Sequence, residues 1–358
     1  MLCCMKLSTL ASRFAVGGAI LVAALLTACG SGGSSAAQTV RYVGLMHVGT
    51  DHIPPSLGAL VTQLSDRFGW DISSLEVNRC VEKLQKSCDF KGKNIKVLWR
   101  NLEPDQADMQ AQRFVKNHVD VIVAFEDTSI AAAEKATRKL RIPIVFLHPS
   151  DPVRDGLVKT LSHPGTNLTG VFGPRDVVAK QLELYELLVP KLHRVLTLVD
   201  PSDPRTDRLL ADYKSAAERL PRPLQLDIRQ ATTAQDLRRV FGSLRPGEVD
   251  GAFLLSPSLR LTQSALTIRL AKKAGLPVQA HRKEWVQQGA LFSYGADLTP
   301  IGRAGARYVD AILKDASPAD LAIEEIPTVK FAINLKTASR LGIKVPQDLI
   351  IRADEVYR

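Results

Sequence analysis

The chain has 358 residues and a formal net charge of +10 at pH 7. That length is too great for one small core and suits two lobes. The basic residues are scattered through segments of helical period without interleaved aromatics, which excludes the basic–aromatic stripe of a nucleic-acid binder. A solvated basic surface, or attraction to anionic lipid headgroups or an anionic ligand, is what the charge implies.

Lys6 and Arg13 give the chain a basic start, and residues 14–28 follow as an uncharged run of apolar and small residues. The run is short for a stable membrane span and matches a signal-peptide core. No other long apolar run occurs. Leu26-Thr27-Ala28-Cys29 resembles the bacterial lipobox, in which the cysteine is lipidated and becomes the first mature residue; an ordinary secretory signal is the other reading. Residues 1–28 are therefore expected to be a lipoprotein signal peptide. Residues 29–38, with Gly30-Ser31-Gly32-Gly33-Ser34-Ser35, are expected to be a flexible tether. Loss of Lys6 and Arg13 with the signal leaves a charge of +8. Cys3 and Cys4 leave too, and Cys29 would carry lipid. Cys80 and Cys88 remain, and an even pair in an oxidising compartment points to a disulfide rather than two free thiols.

The mature chain alternates short β-branched runs with segments of helical period. Residues 40–46 read as the first strand, followed by a helix over 56–68 with Leu57, Leu60, Val61 and Leu64 on one face. Residues 69–92 hold the cysteine pair and read as an irregular insertion. A strand over 94–99 and a helix over 104–117 follow, with Pro104 in the first turn. Residues 119–125 and 142–147 have the apolar runs of strands buried on both faces, with an Ala-rich helix over 129–140 between them. Residues 167–172 complete this series. A second series places helices at 176–188, 206–219, 233–244 and 261–274 among strands at 194–199, 224–228, 251–255 and 276–280. Thr232 or Thr233 caps the third of these helices. A strand over 291–294, a helix over 301–315 and the pieces of 330–358 form the tail. Strands separated by helices are parallel strands joined by right-handed crossovers. The expected fold is α/β, with two doubly wound parallel-sheet lobes and a ligand in the gap at the carboxyl ends of the strands.

Strand ends supply the candidate ligand residues: His47 and Thr50 after the first strand, Glu126, Thr128 and Ser129 after the third, and His148, Ser150 and Asp151 after the fourth. Asp200, Ser256 and His281 hold equivalent places in the second series. Thr128 and Ser129 precede a helix, where hydroxyls and free N–H groups either cap it or bind a carboxylate. An α-amino acid also needs an acid for its ammonium group, and Glu126, Asp151 or Asp200 could serve. Asp151 and Asp200 each stand before a proline, so the other reading of both is a turn acid. His47, His148 and His281, with Glu126 as a fourth ligand, could hold a metal; hydrogen-bonding histidines are the alternative, and no metal site is expected. Tyr294 is placed near a hinge crossing, either packing or touching ligand.

Several segments in fixed order carry a resemblance. They include Ile142-Pro143-Ile144-Val145-Phe146, Asp151-Pro152-Val153, Pro164-Gly165-Thr166-Asn167-Leu168-Thr169-Gly170, Gly289-Ala290-Leu291-Phe292-Ser293-Tyr294-Gly295 and Ile333-Asn334-Leu335-Lys336-Thr337-Ala338. Together they resemble the ABC transporter substrate-binding family that includes tryptophan- and tyrosine-type binding proteins. The resemblance departs at residues 69–92 and at Phe292. It implies the type I periplasmic-binding-protein fold, with lobes joined by a three-strand hinge: residues 39–172 with 290–327, and 173–289 with 328–358. It implies a lipid-anchored extracytoplasmic protein, monomeric, that captures a small molecule (an amino acid or related carboxylate) for an ABC transporter permease. An envelope sensor for a signalling partner is the alternative. No cofactor and no catalysis are expected: the sequence has no Gly-x-Ser-x-Gly elbow, no phosphate-binding Gly-rich loop ending in Lys-Ser/Thr and no His-Glu-x-x-His.

Overall fold

The structure, a computed structural model, describes residues 39–49, 54–73, 76–77, 79–80, 87–175 and 177–358. The expected signal peptide, the tether with Cys29, and Thr50 lie outside the described residues. No helix among the described residues is long and apolar enough to cross a membrane.

The first series runs β1 (Arg41–Val48), α1 (Pro55–Phe68), β2 (Ser87–Gly92), β3 (Ile95–Leu102), α2 (Ala107–Lys116), β4 (Val121–Phe125), α3 (Glu126–Thr137), β5 (Ile144–Leu147) and β6 (Leu168–Phe172). The second runs α4 (Val178–Leu188), β7 (Arg194–Val199), α5 (Thr206–Glu218), β8 (Gln225–Gln230), α6 (Ala234–Ser243), β9 (Gly251–Leu254), α7 (Pro257–Thr262), α8 (Ser264–Lys273), β10 (Val278–Ala280), α9 (Lys283–Gln287) and β11 (Phe292–Ala296). The tail is α10 (Leu298–Leu313), β12 (Glu324–Glu325), β13 (Val329–Asn334), α11 (Leu335–Arg340), α12 (Gln347–Arg352) and β14 (Glu355–Tyr357).

Two sheets form, in the orders β12-β6-β5-β4-β1-β3-β2 and β14-β13-β11-β10-β9-β7-β8. Their central pairings are parallel, as helix-separated strands require. Every residue of β4 and β5 is buried, because helices cover both faces of the sheet. The chain crosses between the sheets after β6, after β11 and after β12, so the α/β two-lobed architecture expected from the sequence is present. The crossings bond to one another: Ile326 N donates to Phe172 O at 2.8 Å and Asp297 N to Thr328 O at 2.9 Å. Gly173 lets the first crossing lie against the second, since a Cβ there would stand 2.8 Å from the Ala296 Cβ.

Several boundaries differ from expectation. Residues 69–92 are not wholly irregular. Ser87–Gly92 is an antiparallel edge strand on β3, closed by a turn at Lys93-Asn94 with Asn94 at φ +58°. Ile72, Val77, Cys80 and Phe90 are buried in the lobe's core. The charged partners Asp89 and Lys91 mask the strand's alternation in the sequence. Strand β11 belongs to the second sheet, although residues from 290 onward were expected in the first lobe. Its antiparallel ladder with β13, Phe292 opposite Ile333, draws it there, and the return to the first lobe begins with α10. The helix expected at 261–274 is two helices meeting at Gln263. The capping expectation holds at Thr233, whose side chain accepts from Asp236 N.

Cys80 and Cys88 form a disulfide. Reduction is expected to lower unfolding stability by about 2.5 kcal/mol, the chain-entropy value for so short a loop. Urea unfolding with and without reductant measures this; an unchanged midpoint would show that the surrounding core, not the bridge, holds the segment.

Candidate functional site

Strands β4 and β5 are each followed at once by a residue with a left-handed backbone, Glu126 at φ +64° and His148 at φ +45°. Neither is glycine, so both conformations cost energy and persist only where their surroundings enforce them. The two side chains meet. His148 Nδ1 lies 2.9 Å from the Glu126 carboxylate, and its Nε2 lies 3.1 Å from Ser56 Oγ. Burial pushes the His148 pKa down to about 4, so the imidazole is neutral at pH 7. The charge opposite Glu126 is therefore Arg282 of the second lobe, whose guanidinium contacts the same carboxylate oxygen. Burial lowers the Arg282 pKa, yet an arginine keeps its proton in such a site.

A cavity of about 200 Å³ lies between the lobes beside this pair. Glu126, His148 and Ser150 bound it from the first lobe, Gln181, Tyr213 and Arg260 from the second, and Gly173 and Gly295 from the crossings. Gly295 has no alternative there, since a Cβ would collide with the His281 carbonyl. Arg260 is held by hydrogen bonds to neutral groups: Nε donates to Leu254 O at 3.0 Å and Nη2 to Tyr213 Oη at 3.2 Å. No carboxylate among the described residues lies within ion-pair distance of it. Tyr213 Oη in turn donates to Gln181 Oε1 at 2.7 Å, and Gln181 Nε2 donates to the Tyr294 carbonyl at 2.7 Å. Tyr213 also stacks on Phe253, with centroids 5.0 Å apart. This chain fixes a cation at the cavity wall and ties it to the hinge strand β11. A wider chamber of about 700 Å³ lies outside, sharing Ser150, Arg175, Val178 and Leu209 with the inner one.

The sequence profile of the family described as ABC transporter substrate binding protein matches residues 74–357. The chain belongs to that family. A tyrosine-binding protein from Clostridioides difficile (strain R20291) is 26% identical over 269 residues, covering 74% of this chain and 76% of that protein. The crystal structure of a conserved domain protein from Vibrio cholerae O1 biovar El Tor superposes with a TM-score of 0.72 at 25% identity, over 89% of this chain and 100% of that one. A Streptococcus pneumoniae ABC domain solved in complex with L-Trp superposes with a TM-score of 0.70 at 21% identity, over the same shares. The fold is of the type I periplasmic-binding-protein kind. The protein is an extracytoplasmic binder of small solutes for ABC transport, not an enzyme.

The substrate-binding protein brings only part of the expected ligand set to its cavity. Glu126, His148, Ser150 and His281 are there, and Tyr294 takes part through its carbonyl while its ring packs near Phe331. Ser150 is engaged, since its N–H and hydroxyl both donate to Asp127, at 2.8 and 2.6 Å. His47 is a buried residue of β1, 3.2 Å from Asn101 Oδ1 and edge-on to Phe125, because the strand runs two residues longer than its apolar pattern suggested. Thr128 and Ser129 sit in the first turn of α3, which starts directly from β4 at Glu126; neither is among the residues enclosing the cavity. Ser129 is fully buried, and its hydroxyl has no hydrogen-bond partner among the described residues.

Asp151 accepts from the N–H groups of Val153 and Arg154 and holds a turn at the edge of the outer chamber. Asp200 accepts from Ser202 N and Oγ, Thr232 Oγ1 and Ser258 Oγ, while its own N–H donates to Ser256 Oγ. Both Asp200 and Ser256 are thereby committed to a structural knot at the ends of β7 and β9. The three histidines form no three-ligand group, and none occurs among the described residues. Sequence reasoning missed Arg260, Tyr213, Gln181 and Arg282. Tyr213 and Gln181 stand within helices and Arg260 within α7, away from a strand end. Arg282 stands two residues after β10, directly behind the candidate His281, and that position is the signal that could have found it.

Proposed function

We propose that the protein captures an α-amino acid or a related small carboxylate between its lobes and delivers it to an ABC import permease. One observation carries the reading: Arg260 is a fixed guanidinium at the cavity wall, bonded among the described residues to a carbonyl and a phenol and to no carboxylate. A ligand carboxylate supplies the missing anion, and a charge-assisted bond in a sheltered site is strong. Glu126 faces the same cavity and can accept an ammonium group in exchange for Arg282. Of the three arginines lining the cavity, Arg175 and Arg282 have carboxylate partners and Arg260 has none among the described residues; that cation, with Glu126 on the same cavity, suits a zwitterion better than a sugar. The tyrosine-binding relative and the L-Trp complex support an amino-acid ligand. In this reading Glu126 touches ligand, Ser150 and Tyr294 support it, and Asp151, Asp200, Ser256, Thr128, Ser129 and His47 shape the lobes around it.

The lobes, residues 39–172 with the segment from 297 and residues 173–296 with the tail from 328, close on a ligand that touches both. A lipid on Cys29 would hold the monomer near its permease and raise its effective concentration. Thermal unfolding of the purified protein against L-amino acids, other small carboxylates, sugars and divalent cations tests this. One amino acid or carboxylate is expected to stabilise the fold selectively, by about 2.7 kcal/mol at a hundredfold excess over Kd. Stabilisation by a sugar or cation alone would overturn it.

A further inference from the structure

Helix α5 meets the first lobe along one face. Arg205, just before its first turn, and Arg208 and Asp212 within it recur at i, i+3 and i+7, a spacing that aligns side chains on a helix. Each reaches across the cleft. Arg205 Nη1 lies 3.1 Å from Asp127, Arg208 Nη1 lies 2.7 Å from Asp155, and Asp212 lies 3.3 Å from Arg154 Nη1. The first two pairs are sheltered, with side-chain exposures of 14% and 9%, and 21% and 15%. The third is open to water and contributes little.

Both partners of the first pair are oriented within their own lobe. Asp203 accepts from Arg205 Nε at 2.8 Å with one oxygen and from Ser258 N at 2.9 Å with the other. That leaves the guanidinium's outer edge aimed at Asp127, which is itself held by Ser150 N and Oγ. When the lobes part, Arg205 keeps Asp203 and Asp127 keeps Ser150. Asp155 likewise keeps the N–H of Asp151 at 3.1 Å. A buried ion pair that strands a charge on opening would be costly to break. This arrangement strands none of these carboxylates, so the contact can form and release.

Arg205, Asp127 and Asp155 are not among the residues enclosing the inner cavity, and Arg208 reaches only the outer chamber. We propose that Arg205–Asp127 and Arg208–Asp155 form a closure latch, positioning residues that hold the lobes together over the inner cavity without touching its ligand. The proposal rests on the reading of the cleft as the ligand site. The latch offsets part of the cost of closing, so the ligand need supply less of it through its own contacts with the two lobes.

Small-angle scattering of the purified, ligand-free protein tests the latch at about 50 mM and about 1 M salt, where the screening length falls to ~3 Å. The wild type and an Arg205→Lys/Arg208→Lys variant are expected to be compact at low salt and wider at high salt. An Arg205→Gln/Arg208→Gln variant is expected to be wide at both, and to bind the strongest amino acid of the panel about fivefold more weakly through faster dissociation. A Gln variant that scatters like wild type at both salts overturns the latch. If that variant does not fold, a wild type whose scattering does not change with salt overturns it instead. Failure of the ligand reading shows separately, as no amino acid or carboxylate binding the wild type, and leaves the scattering contrast in place.

Discussion

Replacing Arg260 with glutamine is expected to weaken amino-acid binding about 100-fold, or ~2.7 kcal/mol, with little change in unfolding stability. Its Nε and Nη2 bonds go to a carbonyl and a phenol, which glutamine can partly replace. The charge has no carboxylate partner among the described residues, so its removal strands no protein anion. What is lost is the charge-assisted bond to the ligand, together with the preorganisation that Tyr213 and Gln181 provide. Calorimetric titration of the variant and wild type with the same amino acid measures the loss. A Kd within threefold of wild type would remove Arg260 as the carboxylate anchor.

Asp200→Ala is expected to act the other way, lowering stability by about 3 kcal/mol while changing Kd little. The buried carboxylate receives hydrogen bonds from three hydroxyls and one backbone N–H, and truncation removes all four of these bonds to a charged group. Burial alone would raise its pKa, but the bonds from Ser202, Ser258 and Thr232 outweigh burial and hold it below the ordinary carboxylate value. Asp203 is opposed by burial in the same way, and is held low by Arg205 and Ser258. A folded pKa below the unfolded value of about 3.9 gives stabilisation that is complete above that value. It is lost as pH falls through the folded pKa. The urea midpoint should therefore drop below about pH 4 in wild type, and less steeply in Asp200→Asn. If Asp200 were the ammonium partner, substitution would abolish binding and leave the midpoint at pH 7 unchanged.

The two-lobed fold was legible because its strongest signals are local. The apolar runs at 121–125 and 144–147, the proline-started helix near 104 and the Thr233 cap each dictate one element. Elements set by tertiary partners were not legible. The edge strand β2 has charged residues on its outer side and gains its identity from pairing with β3. The sheet membership of β11 is decided by β13, more than thirty residues later. The site shows the same division. Glu126, expected from its place after a strand, lines the cavity, while Asp200, expected either as an ammonium partner or as a turn acid, is bonded by hydroxyls, and an acid so bonded looks the same in sequence as a free one. Arg260 was missed because its meaning lies in having no acid partner among the described residues, and no sequence pattern displays that. The face formed by Arg205, Arg208 and Asp212 was readable by helical spacing, but its partners come from an irregular loop and a helix start whose positions only the fold reveals.

The most direct test of the account is calorimetric titration of the wild type with the strongest-binding amino acid of the panel and with two analogues, the amine lacking its carboxylate and the acid lacking its ammonium. The acid is expected to retain measurable affinity through Arg260, and the amine to lose binding by about 100-fold or more. An amine that binds as tightly as the parent amino acid would contradict carboxylate capture in the cleft.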